Sequence, residues 1–428
     1  MLGPQDRVLI LAPHPDDETL CTGGIIQQAL ALGLPIHVVF LTYGDNNEWS
    51  FVKYRKKVTV GSKAVAGMGL VRHGEAVAAT GTLGLKPEQL SFLGYPDFGT
   101  LQIWEKHWGA RPAFRSMFGR MTAVAYPNAY RPGAEYTGEN VLQDIKAILA
   151  DFKPTKIFLS HPADFNPDHQ ALYLLTRVAL WDLALEPEPE LHPFLVHYPK
   201  WPRHQGLNPT WQLNPPPDFV DQIPWYSNPL SPDETQRKIT AIQCHATQYA
   251  VSEKFLKSFL RTNELFGDYP TQVLVRAASD KAEPADKETV VPRMPEGLSG
   301  TQKTKFVGVE SRVLRLVGDR VFITIDFSGL LAGGVEAEVS IMGYRSDRPF
   351  AEMPKLRIRF SDAGRDVFDR GEKVADKTIA VERKSKQITM AIPLGTLGAP
   401  ETLLGSAKTY LGDYSMDSAP WRIIPLGD

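Results

Sequence analysis

The chain has 428 residues, of which 43% are hydrophobic and 22% are charged, as is typical of a globular protein with two or three domains. Its formal net charge is only −2, so no strong electrostatic field favours nucleic acid or an anionic membrane as a partner. The two cysteines, Cys21 and Cys244, are too few for a disulfide framework or a cysteine-based zinc site.

Segments with strand and helix character alternate from residue 7 to about 270. The strand-like segments are nearly continuous in apolar residues, as expected of parallel strands that are covered on both faces. They include VLILAP, IHVVFLT, LSFLGYPD and KIFLS. This alternation predicts an α/β fold with a Rossmann-like, doubly wound and mostly parallel sheet. Ligand sites in such sheets lie at the carboxyl ends of the strands.

The pattern changes after this region. Residues 277–303 are polar and charged and contain three prolines, which predicts a linker. From 304 to 428, period-2 and β-branched runs are separated by glycine and aspartate turns, which predicts an all-β sandwich. We therefore predict a first domain over 1–276, a linker over 277–303 and a β-sandwich domain over 304–428.

Polar clusters follow two of the predicted buried strands. The first strand runs into APHPDDE, and KIFLS runs into HPADFNPDH. Either cluster alone is explained by helix capping or by an Asx-turn. The carboxyl ends of two parallel strands lie at the same edge of a sheet, however, so we expect the two clusters to converge.

Converging histidines and carboxylates suit a divalent metal, whose charge offsets the repulsion among the acids. Zinc accepts imidazole nitrogen and carboxylate oxygen, and a catalytic zinc site keeps three protein ligands and one open position. One histidine and one aspartate from the first cluster, with one histidine from the second, would form such a set. Iron and manganese also suit it.

The two motifs resemble the paired signatures of the LmbE-like, or PIG-L, zinc-dependent N-deacetylases, which act on N-acetylglucosamine-type groups. The resemblance continues through VRHGEAVAATGTLGL, FLGYPDFG and HATQ…FLRTNELF, and it covers residues 7 to about 267. It implies that His14, Asp17 and His169 bind zinc. It also implies that Asp16 is the general base that activates water and then the acid that protonates the leaving amine.

Further roles follow from the same resemblance. Asp168 would orient a ligand or a catalytic histidine. Arg72 matches a position that contacts the sugar, and Asp97 matches one that receives substrate hydroxyl groups. We assign Glu18 to hydrogen bonding at the start of the first helix.

The chain departs from the family pattern at Asn166, where many members have a histidine credited with stabilising the tetrahedral oxyanion. Three alternatives stay open. Asn166 donates a hydrogen bond from its amide, or His161 takes over the role, or the metal alone polarises the carbonyl. His161 is equally well explained as a residue that forms hydrogen bonds at the end of its strand.

The C-terminal segment ITMAIPLGTLGAPETL…DYSMDSAPWRIIP resembles the end of family-nine carbohydrate-binding modules and DOMON-like sandwiches. The resemblance implies a domain that holds a glycan near the active site. The alternative is a structural sandwich or one that mediates oligomers, because the fold alone identifies no ligand. Weaker candidates elsewhere are His245 and the sugar-stacking aromatics Trp201, Trp211 and Trp225.

The sequence thus predicts a metal-dependent hydrolase that removes acetyl from an N-acetylglucosamine-type sugar or conjugate, either a small molecule or an oligosaccharide. Two alternatives remain: an amidase for a larger N-acyl or thiol-sugar conjugate, and a carbohydrate-binding protein with an impaired zinc site. No apolar run is long enough to predict a membrane span. The protein is expected in the cytoplasm if Met1 is native and outside the cell if a signal peptide preceded it. An oligomer is compatible with the sequence.

Overall fold

A computed structural model describes residues 1–46, 61–277, 286–295, 298–412 and 414–427. The chain divides into two compact units, Met1–Tyr269 and Pro270–Asp428.

A five-stranded parallel sheet forms the centre of the first unit, with the strand order β3-β2-β1-β4-β5. Its strands are Val8–Ala12 (β1), Ile36–Thr42 (β2), Leu90–Tyr95 (β3), Lys156–Ser160 (β4) and Glu190–Phe194 (β5). The strand order reverses between β1 and β4, which pair in parallel with Val8 opposite Lys156. This confirms the predicted doubly wound sheet and places a topological switch point between the two strands that carry the motifs.

Seven helices of the described residues belong to this unit. They are Asp17–Ala31 (α1), Ser62–Thr82 (α2), Thr100–Lys106 (α3), Gly138–Phe152 (α4), Pro167–Leu183 (α5), Pro232–Cys244 (α6) and Ala246–Lys257 (α7). Helix α6 begins with a capping box in which Ser231 and Glu234 accept each other's backbone N–H groups. Helix α5 begins at Asn166, whose side chain accepts from the Asp168 N–H group, and has Pro167 at its first position.

Two antiparallel strands complete the first unit, Trp225–Pro229 (β6) and Asn263–Gly267 (β7). Strand β7 carries the buried Glu264, whose carboxylate accepts from the Gly24 and Ile25 N–H groups of α1. A Cβ atom on Gly24 would lie 2.0 Å from the Leu230 side chain and 2.9 Å from Glu264 Oε2, so any larger residue would displace one of them. The same carboxylate accepts from Lys238 Nζ of α6 at 2.7 Å.

Lys238→Ala is expected to lower the free energy of unfolding by about 3–5 kcal/mol, because Glu264 would remain buried without its cation. Both side chains of this ion pair are almost fully buried. Lys146→Ala is the matched control, since Lys146 pairs with Asp182 at the surface and such pairs contribute about 0–1 kcal/mol. Denaturant unfolding of both variants measures the difference, and equal losses would contradict the prediction.

The second unit is rich in antiparallel strands, which confirms the β-rich C-terminal part. One sheet has the order β16-β17-β11-β10-β8, with β9 also on β10, and the other has the order β15-β14-β13-β12-β18-β19. The strands are Arg276–Ala277 (β8), Asp286–Thr289 (β9), Val309–Val317 (β10), Arg320–Phe327 (β11), Val335–Tyr344 (β12), Lys355–Ser361 (β13), Gly364–Asp369 (β14), Glu372–Val374 (β15), Ala380–Lys384 (β16), Gln387–Pro393 (β17), Thr402–Leu411 (β18) and Tyr414–Pro425 (β19).

A single hydrophobic cluster joins the two sheets, with Ile323 and Ile325 of β11, Val339 and Ile341 of β12, and Ile388 of β17 among its members. These residues occupy alternate positions, as the period-2 pattern of the sequence requires. A short helix, Gly300–Thr304 (α8), lies between β9 and β10. None of the helices in the described ranges is long and apolar enough to cross a membrane.

The stretch 277–303 differs in part from the linker that its composition predicts. Strand β9 pairs antiparallel with β10, and the boundary between the compact units lies at residues 269 and 270. The β-branched run that includes Thr289 and the buried Val290 supplies the strand character, which the flanking charges obscure. Residues 278–285 and 296–297 of the predicted linker lie outside the described residues. The division into separate domains stays a prediction.

Candidate metal centre

The two polar clusters meet at the carboxyl edge of the sheet. The loop with His14 follows β1, and the loop of residues 161–166 follows the adjacent β4. His14 Nδ1 lies 3.2 Å from Asp17 Oδ2, and His169 Nε2 lies 3.1 Å from the same oxygen. Two imidazole nitrogens and one carboxylate oxygen, all buried, thus face a common point.

Carboxylates also hold the far nitrogens of both imidazoles. His14 Nε2 lies 3.2 Å from Asp168 Oδ2 and 3.2 Å from Asp97 Oδ1. His169 Nδ1 lies 3.2 Å from Asp164 Oδ2. Of these contacts, the one between His14 Nε2 and Asp168 has hydrogen-bond geometry, and the other two are ion-pair distances. Carboxylates beside the far nitrogen of a histidine orient its ring and leave the near nitrogen directed at a metal.

The charges of this arrangement favour a cation at the common point. Burial alone would lower the pKa of His169, but Asp164 and Asp17 raise it to about 9. Burial alone would raise the pKa of Asp17, but His169 and His14 hold it well below its ordinary value. The residues present therefore fit a divalent metal in both donor chemistry and charge.

The backbone conformation of Asp16 separates its side chain from that of the adjacent Asp17. Asp16 has φ 131° and ψ −31°, a conformation that L-residues rarely adopt. Its N–H group donates to Glu18 Oε2 at 2.9 Å, and helix α1 begins at Asp17. Glu18 thus supports the start of the helix. Its other oxygen lies 3.1 Å from Nε2 of the buried His245.

Asp16 lies beside the donor set and not within it. Its side chain is 13% exposed, and its Oδ2 lies 3.6 Å from an Arg72 nitrogen. Burial raises the pKa of Asp16 to about 7, although the charge of Arg72 opposes this shift. A carboxyl group with such a pKa can accept and return a proton near neutral pH.

Arg72 and Asp97 are both buried and both make polar contacts within the protein. Arg72 is 3% exposed, and its guanidinium donates to the carbonyls of Gly44 and Pro15 at 2.7 and 2.6 Å. Asp97 faces His14 and accepts from the Asn46 N–H group at 3.0 Å. This geometry favours a role in positioning the loop and the ligand, and their contact with a substrate stays a prediction.

Asn166 and His161 differ in their contacts. Asn166 Oδ1 accepts from the Asp168 N–H group at 2.9 Å, which fixes the side chain, and Nδ2 is its donor group. His161 Nδ1 accepts from the Ala163 N–H group at 3.0 Å. The His161 ring lies against Tyr269, with centroids 5.0 Å apart, and near other aromatic rings. This packing favours the structural alternative for His161.

Sequence reasoning missed His197, which follows β5. One of its ring nitrogens belongs to a group of four ligand atoms, with those of His14, Asp17 and His169, that lie within 4.8 Å of one another. Burial lowers the pKa of His197 to about 4, so the ring is neutral. Its only signal in the sequence is a histidine just after an apolar strand, in FLVHYP.

The predicted sugar-stacking tryptophans lie in different surroundings. Trp211 is 51% exposed and lines a cavity of about 300 Å³ together with Trp201, Arg203 and His204. Trp201 is itself buried, and its indole N–H donates to the Asn214 carbonyl. Trp225 lies against His161 with centroids 6.0 Å apart. Trp211 is therefore the one of the three that is most available for stacking.

Asp45→Asn is expected to flatten the pH dependence of stability between pH 4 and 7. Burial and the charge of Asp97 raise the pKa of Asp45 to about 7, and Tyr126 donates to its carboxylate. A raised carboxyl pKa contributes stability below the unfolded value of about 3.9, and this contribution is lost as the pH rises through 7.

Urea unfolding at several pH values measures the slope. Without the titration of the Asp45 carboxyl, the slope of the unfolding free energy against pH should change by up to about 1.4 kcal/mol per pH unit. The exposed Asp221→Asn is the control and should leave the slope unchanged. An unchanged slope in Asp45→Asn would contradict the prediction.

The fold and this donor set define an α/β protein with a buried His/Asp centre of the kind that holds a catalytic metal. Residues 9–180 match the family described as PIG-L: GlcNAc-PI de-N-acetylase. This match and the similar proteins below support a PIG-L-like, or LmbE-like, deacetylase domain in that part of the chain.

Two curated relatives illustrate the similarity. The 1D-myo-inositol 2-acetamido-2-deoxy-alpha-D-glucopyranoside deacetylase of Gordonia bronchialis is 26% identical over 275 residues, which are 60% of this chain and 89% of the relative. The probable N-acetyl-alpha-D-glucosaminyl L-malate deacetylase 2 of Bacillus anthracis is 28% identical over 174 residues, or 38% of this chain and 71% of the relative.

A solved structure is also similar to this chain. The N,N'-diacetylchitobiose deacetylase from Pyrococcus horikoshii is 19% identical, with a TM-score of 0.34, over 59% of this chain and 75% of that chain. The family match ends at residue 180. The resemblance of the C-terminal segment to carbohydrate-binding modules therefore stays a prediction.

Proposed function

We propose that the protein is a metal-dependent hydrolase that removes the acetyl group from an N-acetylglucosamine-type sugar or sugar conjugate. The observation that carries the proposal is the orientation of His14 and His169, whose near nitrogens face one Asp17 oxygen while carboxylates hold their far nitrogens. The deacetylase names of the relatives supply the reaction class.

His14, Asp17 and His169 would hold the metal, with zinc as the first choice and iron or manganese as alternatives. When bound, such an ion polarises the amide carbonyl and lowers the pKa of a coordinated water. Asp168 and Asp97 would orient His14, and Asp164 would orient His169.

Asp16 would move the proton. Water attacks the carbonyl carbon and gives its proton to the Asp16 carboxylate as the new C–O bond forms. The C–N bond then breaks, and Asp16 returns the proton to the amine nitrogen, so acetate and a free amino sugar leave. Arg72, 3.6 Å from Asp16, would hold the carboxylate in place.

Asn166 would contribute a hydrogen bond to the oxygen that becomes negative. Its Nδ2 group is the donor, and the bond that Oδ1 accepts from the Asp168 N–H group holds the amide in place. An asparagine amide is able to stabilise an oxyanion in this way, although it cannot supply a positive charge.

Release of acetate from N,N'-diacetylchitobiose and from an N-acetylglucosaminyl conjugate tests the proposal directly. The metal-loaded protein should release one acetate for each amine that appears, and chelator treatment should abolish the release. The same conjugates with longer N-acyl groups identify the amidase alternative if they react faster. Binding of the sugars with no acetate release at any metal loading would favour the carbohydrate-binding alternative and overturn the proposal.

Carbohydrate binding by residues 304–428 is a separate prediction. A β-sandwich alone identifies no ligand. Isothermal titration of Asp16→Asn with N-acetylglucosamine oligomers would reveal binding without turnover, and it would count the glycan sites on the whole chain. One site would leave the sandwich without a role in glycan binding.

A further inference from the structure

His197, which follows the strand β5, also lies at the candidate metal centre. His197 lies three residues after the end of β5, the strand that pairs in parallel with β4. Its ligand nitrogen lies within 4.8 Å of the ligand atoms of His14, Asp17 and His169. Donor residues thus follow each of the strands β1, β4 and β5 at the same edge of the sheet.

The position of His197 is fixed by contacts on more than one side. Its backbone N–H group donates at 2.9 Å to Asp164 Oδ2, the oxygen that also faces His169 Nδ1. Its ring stacks on Phe255 of α7 at a centroid distance of 5.8 Å and an interplanar angle of 13°. The ring meets His169 edge-on, with centroids 4.9 Å apart and an angle of 80°.

This edge-on contact matters because it keeps the two imidazoles from stacking on each other. Ligands of a tetrahedral metal diverge from the ion, so two histidine ligands present their nitrogens from different directions. The Asp164 carboxylate contacts both histidines: the ring of His169 and the backbone N–H group of His197. A shared carboxylate of this kind fixes the relative placement of two ligands.

We propose that His197 is a fourth protein ligand of the metal, which gives a set of three histidines and one aspartate. This proposal rests on the metal site of the proposed function and extends it. With four protein donors, the water or the substrate would bind as an additional ligand, which catalytic zinc sites are able to accept. His197 is the least buried of the four residues.

Two variants test the proposal in the full-length protein. His197→Ala removes the donor but retains the backbone N–H group that binds Asp164. His197→Cys replaces the imidazole with a thiolate, which is also a good zinc and cobalt ligand. His204→Ala is the matched control, because His204 belongs to the same segment and lies against Trp211.

Metal affinity is measured by competition with a chelator, and coordination is measured by the visible and near-ultraviolet spectrum of the Co²⁺-loaded protein. His197→Ala should bind Zn²⁺ at least 10-fold more weakly and should change the Co²⁺ bands, whereas His204→Ala should change neither. His197→Cys should recover affinity and gain a sulfur-to-cobalt charge-transfer band. Circular dichroism of each variant establishes that it is folded.

Unchanged affinity in His197→Ala, or no charge-transfer band in a metal-loaded His197→Cys, would overturn the assignment. These outcomes are distinct from failure of the proposed function. If the unmodified protein bound Co²⁺ and released acetate while the variants behaved like it, only the fourth ligand would be wrong. If the unmodified protein bound no divalent metal, the proposed function would fail as well.

Discussion

Asp16→Asn is expected to reduce turnover by about 10²–10⁴-fold while the metal stays bound. The range is that of general acid–base catalysis by a positioned side chain. Asparagine has almost the same shape, so the contact with Arg72 and the hydrogen bond from the Asp16 N–H group to Glu18 should survive. It cannot accept a proton from water, and it therefore removes the proposed chemistry without removing a metal donor.

The metal content and the rate of acetate release are measured for the unmodified protein, for Asp16→Asn and for a control variant. Asp221→Asn, which changes an exposed aspartate of the same unit, should match the unmodified protein in both. Full activity in Asp16→Asn would show that another group moves the proton. Loss of metal in Asp16→Asn would place Asp16 among the ligands and would contradict the division of roles between the adjacent aspartates.

His14→Ala is expected to have the second large effect, a loss of metal affinity greater than about 100-fold. Removal of an outer partner of a ligand already costs about 10–100-fold, and His14 is proposed as a ligand itself. The substitution also leaves Asp17, Asp97 and Asp168 around one gap, because all three contact the His14 imidazole. Repulsion among these buried carboxylates should lower thermal stability at neutral pH.

Metal competition and thermal unfolding at pH 7 measure the two effects. His37→Ala is the matched control, because it removes a histidine from β2 whose Nε2 bonds Ser91 and not the cluster. It should leave metal affinity unchanged. Retention of full metal affinity in His14→Ala would contradict the ligand assignment, whatever the activity.

The sequence predicts the parallel sheet and the meeting of the two motifs for the same physical reason. Buried parallel strands are apolar on both faces, and their carboxyl ends lie at one edge. Once β1 and β4 are recognised, the proximity of His14 and His169 follows. The strand order that makes them neighbours is not visible in the pattern, since apolar strands of similar length can be arranged in several ways.

The parts of the centre that were not predicted depend on the direction of side chains. His161 and His169 occur in one motif, but the His161 ring turns towards Tyr269 while His169 faces Asp17. The choice depends on the backbone of the loop, which local sequence does not determine. His197 belongs to no motif, and only the pairing of β5 with β4 brings it to the site.

Part of the predicted linker contains a strand for a different reason. Charge and proline dominate residues 277–303, and both are typical of loops. Edge strands, however, often carry charged residues because charge discourages pairing with another chain. Strand Asp286–Thr289 has this composition and still pairs with β10.

The contacts of Asp164 bear on how this centre could be transferred or redesigned. Asp164 lies within the segment that matches the family, but its Oδ2 atom accepts from the N–H groups of Val196 and His197, beyond residue 180. A graft of the two motifs onto another α/β scaffold would transfer the donors His14, Asp17 and His169. It would not transfer the residues after β5, whose N–H groups bind Asp164. The smallest portable form of this centre therefore includes the ends of β1, β4 and β5 and the end of β3 that carries Asp97, and not only a pair of sequence motifs.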